Sequence, residues 1–140
     1  MRSLKRLQCL PRAEWLLLLQ AVFSIVLVHI ALRYLAVQRV PRFVSRAGWR
    51  SNSNHAAHRI AWATRAAARF IPRSTCLVQA IAGQVLLIRY GYQPRLMIGV
   101  MKDTDQRFQA HAWVACDERI LIGGPGAERY TSLLTLGSLS

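Results

Sequence analysis

Residues 76–90, CLVQAIAGQVLLIRY, carry apolar side chains at the three- and four-residue spacing of an α-helix. Ser74 and Thr75 precede this stretch and can cap its N-terminus, and Gly91 follows it as a C-terminal stop. Cys76 therefore falls in the first helical turn, where free backbone N–H groups and the positive end of the helix dipole favour a thiolate. Taken alone, the segment fits a nucleophilic cysteine and an inert core cysteine equally well.

Two segments with β-strand character follow the predicted helix. The first is RLMIGVM (95–101), interrupted by a glycine, and the second is RFQAHAWVAC (107–116), in which successive side chains face opposite ways. A tight turn at Asp117-Glu118 then returns RILIGG (119–124) as an antiparallel partner. In that hairpin the numbers of paired residues sum to 235, so His111 is expected opposite Gly124.

A helix that bears a cysteine, followed by an antiparallel sheet that bears a histidine, is the order of papain-like and transglutaminase-like cysteine enzymes. The sequence therefore predicts an α+β fold, with the helix of Cys76 packed on a small antiparallel sheet and further helices at the N-terminus. In such enzymes the histidine, here His111, takes the thiol proton and returns it to the leaving amine. Gly123 and Gly124 offer no side chain to orient that imidazole, and Asp117, at the turn, is the remaining candidate for an orienting acid.

The N-terminal part of the chain is dominated by WLLLLQAVFSIVLVHIALRYLAV (15–37), a segment long enough to span a bilayer. Its polar residues recur at intervals of four, five and four, and we interpret them as lying along one side of a helix. They are Gln20, Ser24, His29 and Arg33. We expect this helix to pack on the domain; contact with lipid is the alternative. A second helix is expected over 56–70. We divide the chain into 1–55, the hydrophobic helix and its connection, and 56–140, the transglutaminase-like core, within one compact unit.

Composition limits the classes of function. The 140 residues are 53% hydrophobic and suffice for one domain, and 17 Arg and 2 Lys against 6 acids give a net charge of +13. Such a charge suits nucleic acid, an anionic membrane surface or an acidic protein partner. The basic residues are scattered and no DNA-reading motif is present, so we do not expect nucleic-acid binding.

The cysteines and histidines form no ligand pattern. Cys9, Cys76 and Cys116 are odd in number and far apart, which argues against disulfides and a structural zinc site and fits a reducing cytoplasm. His55 and His58 lack a third ligand nearby, so neither a metal nor another cofactor is expected. Cys116, beside the turn, is expected to be a buried, inert thiol.

Two longer stretches carry a resemblance to a known family, STCLVQAIAGQVLLIRYGYQPRLMIGVMKD (74–103) and FQAHAWVACDERILIGG (108–124). Both resemble the lasso-peptide leader peptidases, the transglutaminase-like microcin-processing family. The shared pattern is a Cys-Leu helix with an Arg-x-Gly end, an Ile-Gly-Val strand and a Phe-x-Ala-His-Ala-Trp-Val strand. The leucine-rich first helix extends the resemblance over nearly the whole chain.

The resemblance implies a cysteine peptidase that removes the leader of a ribosomally made lasso precursor, with Cys76 as nucleophile and His111 as general base and acid. It also implies a stand-alone protease subunit, a separate leader-binding protein and an ATP-dependent, asparagine-synthetase-like cyclase. Some members place an aspartate on the strand after the histidine, where this chain has Gly123-Gly124.

Two other functions remain open at this point. The same pair of residues supports acyl transfer to an amine, as transglutaminases perform it, since only the group that attacks the thioester differs. The second is a non-enzymatic scaffold, which its apolar helix and basic surface would hold at a membrane or on acidic partners.

Overall fold

The computed structural model describes residues 11–34, 39, 55–72, 74–124 and 126–136. Within these residues, three α-helices and a four-stranded antiparallel sheet form an α+β fold, which confirms the predicted fold class. The elements are α1 (Arg12–Tyr34), α2 (Ala57–Ala68), α3 (Cys76–Arg89), β1 (Arg95–Lys102), β2 (Phe108–Cys116), β3 (Arg119–Ile122), a 3-10 helix (Ala127–Arg129) and β4 (Thr131–Leu136).

Helix α3 begins and ends as its sequence predicts. Thr75 is the N-cap, and its hydroxyl accepts a hydrogen bond from the backbone N–H of Val78 at 3.3 Å. At the other end Gly91 adopts a left-handed φ of +88°, and the Tyr92 N–H then bonds back to the Leu87 carbonyl. The helix is buried from Ala80 through Leu87 and forms the centre of the core.

The sheet has the strand order β3-β2-β1-β4, so β2 is an inner strand beneath the helices. Ala112 and Val114 face the core, and their partners on β1, Ile98 and Leu96, share that face. Small side chains on β2 allow α3 to approach closely. His111, like Trp113, projects from the opposite face by strand alternation.

The hairpin between β2 and β3 follows the predicted register for two pairs and then departs from it. Cys116 pairs with Arg119 and Ala115 with Ile120, but Val114 pairs with Ile122 after a bulge. The predicted pairing of His111 with Gly124 is therefore wrong, because the extra residue shifts the register by one. The turn residues 117 and 118 have φ values of +49° and +65°. A positive φ at both central residues is typical of one of the two common two-residue hairpin turns.

Strand β4 is absent from the sequence prediction, and it pairs with β1 at the far edge of the sheet. The chain must cross from β3 to reach it, and Tyr130 of this connection contacts the rings of His111 and Trp113. The sequence suggested that Gly99 interrupts β1, but the strand continues through it, and only the pairing with β4 shifts register between Ile98 and Gly99. A Cβ at Gly99 would lie 2.8 Å from both the Thr131 carbonyl and the Trp113 ring, so glycine makes room for the indole.

Helix α1 packs on α2 and α3 within the same core. Leu17, Ile25 and Val28 are buried, which confirms that the helix packs on the domain. The interpretation of its polar residues as one side of the helix is wrong, because Ser24 is buried whereas Arg33 is exposed. The domain boundary at 55/56 stays a prediction.

Loss of the α3 cap should destabilise the fold. We expect Thr75→Ala to lower the free energy of unfolding by about 1 kcal/mol, since the Val78 N–H loses its acceptor. Thr75→Ser keeps the hydroxyl and should retain most of that stability. Chemical denaturation measures both variants, and equal losses in the two would contradict a capping role.

Candidate active site

Cys76 is an exposed thiol in the first turn of α3. Helix α3 is followed at once by β1, whose first residue pairs with Ala115 near the end of β2. The helix of 14 residues is about 20 Å long and packs against β2, the strand that carries His111. The thiol and the imidazole thus belong to two elements that pack against each other.

The His111 imidazole is half-buried on the outer face of β2 and held on three sides. Its Nε2 lies 2.7 Å from the carbonyl oxygen of Gly123, and its ring stacks on Trp113 at a centroid distance of 5.9 Å and lies tilted against Tyr130 at 5.0 Å. A carbonyl oxygen only accepts hydrogen bonds, so Nε2 is the donor. In the neutral ring Nδ1 is then the nitrogen with a free electron pair, as a general base requires.

The backbone at Gly123 explains how a carbonyl reaches this ring. Gly123 has a φ of +75°, and a Cβ there would lie 2.6 Å from the Ala112 carbonyl and 3.2 Å from the Trp113 Cα. Only glycine suits both the left-handed conformation and the close approach. In the sequence these glycines signalled a missing side chain; in the structure one supplies the backbone acceptor.

The Cys76 thiol and the His111 ring share no hydrogen bond in the part of the chain that the structure describes. The imidazole projects from the sheet face opposite α3, as strand alternation dictates. Their joint catalytic role therefore stays a prediction.

Asp117 lies in the turn between β2 and β3, six residues from His111 and thus roughly 20 Å along the strand. No hydrogen bond or ion pair connects its carboxylate to the imidazole in the part of the chain that the structure describes. It instead borders an open cleft of about 260 Å³, lined also by Ala57, His58, Cys116, Arg119 and Leu121. Its role as orienting acid stays a prediction to which the geometry gives no support.

Cys116 is 6% exposed, in agreement with the predicted buried thiol. Burial raises the pKa of Cys116 above its usual value of 9.0, and the negative charge of Asp117 raises it further. A neutral, buried thiol is a poor nucleophile. No group of three or more residues suited to hold a metal ion occurs among the described residues.

Substitution at Gly123 should be costlier than at another glycine with the same backbone conformation. Gly126 has a φ of +82° and open space around the Cβ position, so Gly126→Ala should cost about 1 kcal/mol. Gly123→Ala adds the clash with Ala112 and should lower the free energy of unfolding by at least about 2 kcal/mol. Denaturation curves compare the two, and equal losses would show that the close approach is absent.

The two described thiols should differ sharply in reactivity. In a Cys9→Ser background we expect iodoacetamide at pH 8 to label Cys76 at least about tenfold faster than Cys116, which is buried and has a raised pKa. Peptide mass mapping over a time course separates the sites. Equal labelling rates would contradict this placement of the thiols.

Comparison with known proteins places the chain in a family. The model of the transglutaminase-like superfamily matches residues 21–135, which include both Cys76 and His111. No curated protein and no solved structure matches the chain significantly. Since the match covers most of the 140 residues, the chain belongs to the transglutaminase-like superfamily, whose members are typically cysteine-dependent enzymes.

Proposed function

We propose that the chain is a cysteine peptidase that cleaves the leader from a lasso-peptide precursor. Membership of a superfamily that includes cysteine peptidases and acyltransferases supports the cysteine chemistry. The observation that carries the proposal is Cys76 itself, an exposed thiol in the first turn of a capped core helix. The leader-peptidase pattern in residues 74–103 and 108–124 supports the choice of substrate.

The proposed reaction has two steps. His111 accepts the proton of the Cys76 thiol, the sulfur attacks the scissile carbonyl, and the C–N bond breaks as the imidazolium returns the proton to the leaving amine. The core peptide leaves with a free amine, and the leader remains as a thioester on Cys76. Water then attacks the thioester and gives a proton to His111, the C–S bond breaks to release the leader as a carboxylic acid, and the imidazolium returns the proton to the Cys76 thiolate.

His111 fits the role of base in one specific way. The Gly123 carbonyl binds Nε2–H and so leaves Nδ1 to receive the thiol proton. Catalysis also requires the Cys76 sulfur and Nδ1 to reach the same peptide bond. No hydrogen bond joins the two groups in the described residues, so their pairing is the part of the proposal that experiment must test.

The cellular setting is part of the same proposal. We place the enzyme in the cytoplasm, where free thiols persist, together with a separate leader-binding protein that presents the precursor. An ATP-dependent, asparagine-synthetase-like cyclase would consume the freed core amine. The basic surface, at a net charge of +13, suits an acidic partner or precursor, and such binding would weaken at high salt.

Cleavage of a lasso precursor, with and without the leader-binding protein, tests the proposal by mass spectrometry. We expect two products whose summed mass exceeds the precursor by one water. Cys76→Ala should abolish cleavage, and His111→Gln should slow it by about 10²–10⁴-fold, since that is the usual contribution of a general base. Cys116→Ala, at the other described thiol, should retain cleavage. Circular dichroism verifies that each variant folds.

Three outcomes would contradict parts of the proposal. Full cleavage by Cys76→Ala would exclude the thiol mechanism, and an amide product in place of added water would indicate acyl transfer. An inactive Asp117→Asn variant would restore Asp117 as the orienting acid. Asparagine tolerates the φ of +49° at this position, so the substitution removes the charge without straining the turn.

A further inference from the structure

Helix α1 exposes an apolar strip along its whole length. Seven of the eleven exposed large hydrophobic residues in the described part of the chain lie on this helix. Leu16, Leu19 and Phe23 are each about 60% exposed, and the strip recurs at three- and four-residue spacing. Its members are Trp15, Leu16, Leu19, Phe23, Val26, Ile30 and Tyr34.

The strip does not serve the core. The residues of α1 that pack on α2 and α3 lie on the other side of the helix, and they include Leu17, Ile25 and Val28. Of the other four exposed hydrophobics, Phe108, Ile120 and Leu133 lie on the sheet, and Phe70 follows α2. A continuous exposed apolar surface of this kind marks an interaction site.

We propose that this strip binds an anionic lipid surface. The net charge of +13 attracts acidic headgroups, and exposed arginines Arg12 and Arg33 stand at the two ends of the strip. Trp15 and Tyr34 lie beside them, and such side chains favour the boundary between headgroups and hydrocarbon. Arg2, Lys5 and Arg6 precede the helix in the sequence and add positive charge.

The helix lies in the plane of the lipid surface and does not cross the bilayer. Among the described residues, α1 is the one helix long and apolar enough to span a membrane by length and composition. However, 39% of its most apolar window is buried inside the protein. Spanning would pull Leu17 and Ile25 out of the core, whereas insertion of the exposed strip leaves the fold intact.

A second copy of the chain is the other occupant that the spacing would suit, because alternating steps of three and four also form a coiled-coil seam. Charge favours lipid over this alternative. A homodimer would bring together two chains of +13 each, whereas an anionic surface neutralises that charge. Trp15 and Tyr34 also widen the strip beyond a narrow helix–helix seam.

Vesicle co-sedimentation of the full chain tests the proposal, with phosphatidylcholine vesicles compared with vesicles that contain 30% phosphatidylglycerol, by experimental design. We expect binding to the anionic vesicles that weakens as salt is raised. Leu19→Asn combined with Phe23→Asn should reduce the partition coefficient by at least about tenfold, since two inserted side chains are lost. Phe108→Asn combined with Leu133→Asn is the matched control, because these residues are similarly exposed on the sheet, and should bind unchanged.

Three results would overturn the proposal: no binding to anionic vesicles, equal loss in the two double variants, or a solution dimer that dissociates only in the α1 variant while vesicles remain unbound. Analytical ultracentrifugation supplies the last measurement. Precursor cleavage in lipid-free solution is a separate readout. If the chain does not bind vesicles but still cleaves the precursor, the lipid-binding proposal fails and the peptidase proposal is unaffected.

Discussion

The alternation of side chains along β2 is the constraint on which the rest of the structure depends. Ala112 and Val114 face α3, and their small size allows the helix to lie against the inner strand of the sheet. The same alternation turns His111 to the other face, where Trp113 and the connection leading to β4 enclose it. One strand thus sets both the position of the helix that carries the thiol and the surroundings of the imidazole.

Backbone geometry replaces a carboxylate in holding His111. The bulge between Val114 and Ala115 and the left-handed Gly123 bring a carbonyl within 2.7 Å of Nε2, and that bond selects the tautomer with a free Nδ1. A carbonyl holds the ring without adding a formal negative charge. It therefore orients the imidazole without the electrostatic stabilisation that an aspartate gives to an imidazolium, and the proposed base must function with weaker support.

The bounds of α3 could be predicted from neighbouring residues in the sequence, whereas the pairing of the strands could not. Thr75 and Gly91 defined α3 because capping depends on near neighbours, and the Asp117-Glu118 turn defined the start of the hairpin. The bulge at Val114/Ala115 and the pairing of β4 with β1 depend on packing across the sheet. The exposed strip of α1 could not be predicted either, because the sequence of an almost wholly apolar helix does not indicate which side is buried.

The central claim is that Cys76 and His111 act as a pair, although no hydrogen bond joins them in the described part of the chain. The rate of Cys76 alkylation at pH 6.5, in the unsubstituted chain and in His111→Gln, tests it most directly. Glutamine can still donate a hydrogen bond to the Gly123 carbonyl but cannot accept the thiol proton. Coupling predicts a rate at least about tenfold lower in His111→Gln at pH 6.5 that converges with the unsubstituted chain at pH 10, where ordinary thiols are ionised. Equal rates at both pH values would contradict the pairing.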